Sequence, residues 1–110
     1  MEELVNKALE LKRSGRTCSY SIYYAFKDHL HLDDNYPAPR SIEGRCGCLL
    51  VLEKILKDIG KEDRYQEFYK QFINEYHYDK CFDLIKNNGR RCDEYVEKAS
   101  EYISKIIKEK

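Results

Sequence analysis

The stretch Gly15-Arg16-Thr17-Cys18-Ser19-Tyr20-Ser21-Ile22-Tyr23-Tyr24-Ala25-Phe26 stops one helix and starts the next. Upstream of it, Leu4, Val5, Ala8, Leu9 and Leu11 recur at the spacing of one helix face, and Ser14-Gly15 breaks the run. Thr17 supplies the hydroxyl that an N-cap needs. Ile22, Tyr23, Ala25 and Phe26 then line a second helix, predicted to run to about Leu30. The stretch also places a cysteine in the first turn of a helix, an arrangement that recurs further on.

Downstream, Asp33-Asp34-Asn35-Tyr36-Pro37-Ala38-Pro39 holds both prolines and reads as the longest loop. A third helix is predicted to begin around Glu43 to Gly47. Leu49, Leu52, Ile55, Leu56 and Ile59 form its core face, and Gly60 stops it. A fourth carries Tyr65, Phe68, Tyr69, Phe72, Ile73 and Tyr76, an aromatic stripe that reads as core. A short helix around Cys81, Leu84 and Ile85 ends in Asn87-Asn88-Gly89, and a last one aligns Cys92, Val96, Ala99, Ile103 and Ile106. No strand alternation, low complexity or repeat is visible. The expected fold is all-α: a single domain over residues 1–110, an antiparallel bundle of about five helices, four longer and one shorter.

Composition narrows the function. Lysine plus arginine equals aspartate plus glutamate at 20 each, so charge argues for neither nucleic acid nor anionic lipid as an obligate partner. The N-terminus, Met1-Glu2-Glu3-Leu4, lacks the basic and apolar regions of a secretory signal. No apolar run approaches the ~20 residues that cross a bilayer. These features point to a cytoplasmic protein, where thiols stay reduced and five cysteines suggest redox, catalytic or metal use over a disulfide framework.

Cys18 sits where the positive end of a helix and unpaired backbone N–H groups meet, beside Arg16, so its pKa is expected to fall toward neutrality. The competing reading is a small buried hydrophobe, the commonest role of a free cysteine. Cys46-Gly47-Cys48 opens the third helix near Arg40 and Arg45. Two residues apart on a helix point about 200° from each other, so both serve one centre only if the helix starts at or after them. Gly47 permits that and also close approach by a ligand or chain. A Cys-X-Cys disulfide closes a small, easily reduced ring; alternatively Cys46 caps the turn and Cys48 packs in the core. Cys81 and Cys92 each follow charged residues at a helix start. Together, four cysteine-bearing segments place sulfur in the first turn or so of a helix.

The opening stretch resembles the Gly-x-x-Cys-x-x-x-(Val/Ile)-x-x-Ala-Phe start of the redox-active family named for its cysteine pattern, C-GCAxxG-C-C. Cys46-Gly47-Cys48 stands at that family's central helix start. Cys81 with Leu84, and Cys92 with Val96 and Ala99, resemble its last two cysteines. The likeness covers nearly the whole chain after the first helix. The pattern's alanine and second glycine are Leu49 and Leu52 here, where small residues would have let a shared ligand approach the helix. What the resemblance implies is an all-helical domain with clustered cysteines and a redox or metal-linked role.

Other chemistry is thinly signalled. His29 and His31 bracket a helix end near Asp33 and Asp34, where histidines more often cap than ligate. There is no Cys-x-x-Cys, phosphate loop or dinucleotide fingerprint, and Lys12-Arg13 and Arg90-Arg91 are too short to indicate nucleic acid. The leading expectation is a thiol/disulfide redox protein working with a redox partner, with Cys18 and Cys48 as the reactive pair and Cys46 as a resolving thiol. The alternative uses Cys18, Cys48, Cys81 and Cys92 to hold zinc or an iron–sulfur cluster. A third reading is a structural or interaction domain with buried cysteines.

Overall fold

A computed structural model describes residues 2–32, 46–89 and 92–108, without the side chains of Glu2 and Cys81. The described residues form six helices and no strand: α1 Glu2–Arg13, α2 Cys18–Leu30, α3 Gly47–Asp58, α4 Tyr65–Tyr76, α5 Cys81–Asn88 and α6 Cys92–Lys108, with a 3-10 turn Glu62–Arg64 leading into α4. The described residues are all-helical as expected, but their helices number six where about five were anticipated. All six fall on segments that read as helix in the sequence, the first of them α1. It is a full member of the packing, laid against both α2 and α6, because Val5, Ala8 and Leu9 make a buried face.

Each helix ends for a local reason. Gly15 takes φ +101, a backbone that side-chain-bearing residues rarely adopt, and lets the Arg16 N–H reach back to the Leu11 carbonyl. The Thr17 hydroxyl accepts from the Tyr20 N–H at 3.1 Å, as an N-cap should. Thr17→Ala is expected to cost about 1 kcal/mol of stability, read as a lower midpoint of denaturant unfolding with unchanged slope. His31 and His77 take the left-handed conformation just past α2 and α4, and their N–H groups close on Lys27 and Ile73. They are helix stops. The proline loop, the upstream part of the third-helix start and the basic residues Arg40, Arg45, Arg90 and Arg91 lie outside the described residues.

Ile22, Tyr23 and Phe26 of α2, Leu49, Leu52, Ile55 and Leu56 of α3, and Val96, Ala99, Ile103 and Ile106 of α6 are buried together in one core. The aromatic stripe of α4 meets α6 ring on ring: Phe68 lies 5.1 Å from Tyr102, and Tyr95 lies 5.4 Å from Phe72 and 4.8 Å from Tyr76. The Tyr102 hydroxyl donates to the Arg64 carbonyl, and the Tyr76 hydroxyl donates to Glu94. Asn88 reaches the Tyr76 carbonyl, which ties the end of α5 to the end of α4. No described helix is long and apolar enough to cross a membrane.

Candidate functional site

Packing α1 and α3 against α2, and α6 against all three, brings the starts of α2, α3 and α6 to one place. Cys18 is the first residue of α2 and Cys92 the first of α6. Cys48 is the second residue of α3, whose N-cap is Cys46. All four thiols are free; Cys46 and Cys48 are buried, while Cys18 and Cys92 are partly exposed. The helix begins between Cys46 and Cys48, with Cys46 at φ −56, ψ 131 outside the helical region. That break removes the divergence that two residues on a continuous helix would show.

α2 lies against Gly47: a Cβ built there would lie 3.4 Å from the Ser19 nitrogen and 3.7 Å from the Cys18 Cβ, at ordinary contact distance. Gly47→Val adds two branches beyond that Cβ, into a contact already made. It is expected to cost about 1–3 kcal/mol and to part Cys18 from Cys48. Denaturant unfolding reads the first effect, and a Cys18 alkylation profile shifted to higher pH reads the second. The Cys46 N–H also donates to the Asp79 carbonyl at 2.7 Å, and the Asp79 carboxylate accepts from the Tyr69 hydroxyl at 2.8 Å, which anchors the buried side of the cluster to α4.

The sulfurs of Cys18, Cys46 and Cys48 do not titrate alike. A hydrogen bond from the Cys48 thiol brings Cys18 down from the ordinary 9.0 to about 7, against the opposing cost of burial and with help from the Lys12 charge and the Cys92 thiol. Cys46 is also lowered, first by hydrogen bonding from Cys48, with the backbone N–H groups of Cys48 and Leu49 acting the same way. Cys48 is pushed well above its ordinary value, because its proton serves both Cys18 and Cys46 and it is fully enclosed. Cys18 as a thiolate disfavours ionisation of Cys46. The cluster therefore holds its first negative charge on one outer member, with Cys48 as the shared acid between them.

The expected cationic neighbour was Arg16, but its guanidinium stands 5.0 Å over the Tyr20 ring. Lys12 takes that place, from the last turn of α1, while Arg13 next to it pairs with Asp93 at 3.3 Å. Asp93, held by Arg13, works against Lys12 by raising the Cys18 pKa. Lys12-Arg13 is thus a pair whose role the sequence conceals: too short for nucleic acid, it belongs to the thiol site through a contact 80 residues away.

Of the sulfurs named for a metal centre, Cys18, Cys48 and Cys92 lie in this cluster, whereas the side chain of Cys81 is outside the described residues. Among the described residues no three His, Cys, Asp or Glu side chains are gathered as a metal-ligand set. A groove of about 410 Å³ between α4 and α6 is floored by Phe68, Phe72 and Tyr76 and bordered by Lys98, which is paired with Glu75. It contains no thiol. No protein-family model, no curated protein and no solved structure matches the chain.

Proposed function

We propose that this chain is a thiol–disulfide redox protein built on a single-domain antiparallel helical bundle, acting in a reducing, cytoplasmic setting with a protein or small-molecule disulfide as its redox partner. The observation that carries the reading is the pairing of an accessible thiol, poised near neutrality, with a fully buried thiol that hydrogen-bonds to it. The resemblance to the C-GCAxxG-C-C family points the same way. The Cys18 thiolate attacks one sulfur of an external disulfide, forming a mixed disulfide and expelling the other sulfur as thiolate. Cys48 gives its proton to the expelled thiolate and then attacks the Cys18 sulfur. That step closes a Cys18–Cys48 disulfide and releases the second external thiol. The external disulfide gains two electrons and the pair loses them.

The test begins with anaerobically purified protein, assayed for bound metal and for thiols that react before denaturation. Metal-free protein that reduces one equivalent of an aromatic disulfide and ends with Cys18 joined to Cys48 supports the proposal. Stoichiometric zinc or iron with four thiols protected until denaturation replaces it with the metal-centre reading. Thiols that stay inert in metal-free native protein leave the interaction domain. The pH dependence is equally specific: Cys18 alkylation is expected to rise about tenfold per pH unit below about 6 and to level off above about 8, centred on about 7. A midpoint near 9 would show an ordinary thiol.

A further inference from the structure

The proposed exchange uses two of the four described thiols; the other two are placed to carry a second electron pair. Hydrogen-bonding links join Cys92 to Cys18, Cys18 to Cys48, and Cys48 to Cys46. Accessibility divides the row in two, since Cys92 and Cys18 are partly exposed while Cys48 and Cys46 are 0% and 4% exposed. In a row of four, pairing the inner two strands the outer two. Only Cys92 with Cys18, and Cys48 with Cys46, leaves no member of the row unpaired. Two placements favour these unions: Cys18 and Cys92 open helices that pack on each other, and Cys46 precedes the helical turn that holds Cys48.

We infer that the cluster delivers four electrons to disulfide substrates in two steps and ends as Cys18–Cys92 and Cys46–Cys48, a proposal that rests on the redox reading above. The first external disulfide leaves Cys18–Cys48, as already described. The Cys46 thiolate then attacks the Cys48 sulfur, forming Cys46–Cys48 and expelling Cys18 as a thiolate, an exchange with no net oxidation. The freed Cys18 attacks a second external disulfide, and Cys92 resolves the mixed disulfide by forming Cys18–Cys92. In total, two external disulfides become four thiols and four protein thiols become two disulfides. Cys81 takes no part.

The experiment treats fully reduced, full-length protein with increasing amounts of a diazenedicarboxamide oxidant, whose azo group accepts two electrons and two protons per disulfide formed. The protein is then denatured, labelled with N-ethylmaleimide and weighed intact. Five cysteines, minus two for each disulfide, give labels falling from five to three to one on a monomeric chain. Peptide mapping should then find Cys18 joined to Cys92 and Cys46 joined to Cys48. Cys92→Ser is expected to stop with two labels of its four cysteines, and Cys81→Ser to lose all four. A titration that stops at three labels with Cys18–Cys48 overturns the four-thiol inference and leaves the two-thiol exchange standing. Five labels throughout overturns both. One label reached only in covalent dimers, or a Cys92→Ser chain that loses every label, also overturns the inference.

Discussion

Phe26→Ala is expected to lower the free energy of unfolding by about 3–5 kcal/mol. Phe26 is wholly buried, and its helix is packed on α1, α3 and α6. With three neighbours holding the walls, the space left by the ring cannot collapse, so the cost of the cavity adds to the lost transfer energy. Against a total of about 5–15 kcal/mol, that is about a fifth of the stability or more. For a chain of this size it corresponds to a fall in Tm of roughly 12–24 °C. Chemical denaturation with an unchanged slope measures it. The control is Phe82→Ala: Phe82 is 73% exposed, and its loss is expected to stay within about 0.5 kcal/mol. Equal effects at the two positions would mean that α2 does not occupy the centre of the core.

The second large effect is chemical. Cys18→Ser is expected to abolish disulfide exchange while leaving helix content unchanged, because serine is close in size and keeps a polar group at the helix start. At pH 7 a thiol with a pKa of about 7 is half ionised, whereas one at 9.0 is about 1% ionised, a roughly fiftyfold gain in thiolate. The lower basicity reduces intrinsic nucleophilicity by roughly sixfold to tenfold, so the net advantage over an ordinary thiol is about fivefold to eightfold. The larger part of the loss comes from access. Without Cys18, an external disulfide meets only Cys92 among the four clustered thiols, since Cys46 and Cys48 are buried. A chain with both Cys48→Ser and Cys92→Ser should behave differently: attack proceeds, and the mixed disulfide on Cys18 accumulates, visible as added mass that a dithiol removes. Exchange at the native rate in Cys18→Ser would sink the mechanism.

Much of the helical layout was legible because it is governed by neighbours in sequence. Thr17 and Gly15 fix the boundary between α1 and α2 by local chemistry, and the apolar spacing of Leu49 to Ile59 or Val96 to Ile106 needs no tertiary information. The stripe from Tyr65 to Tyr76 likewise read as core, and Tyr65, Phe68, Phe72 and Tyr76 are buried. What could not be read was which helix starts meet. Periodicity gives a helix its buried face but not the neighbour laid against it, so the grouping of Cys46 with Cys18 and Cys92 depends on how α1 and α6 seat α2 and α3. The substitution of Lys12 for Arg16 has the same origin. Arg16 is adjacent to Cys18 in sequence but stacks on Tyr20, whereas Lys12 arrives from the preceding helix.

The seating of α6 against α1 also sets an order of events during synthesis. Arg13 and Asp93, which bridge the two helices, stand 80 residues apart, so at ribosomal speed roughly 4–16 s pass between making one and making the other. Throughout that interval Val5, Ala8 and Leu9 lack the helix that covers them in the finished chain, and Cys18, Cys46 and Cys48 lack Cys92. A nascent chain thus carries most of its thiols before the scaffold that governs their pairing exists. A cell that keeps its ribosomes in a reducing milieu supplies the protection that the unfinished fold does not.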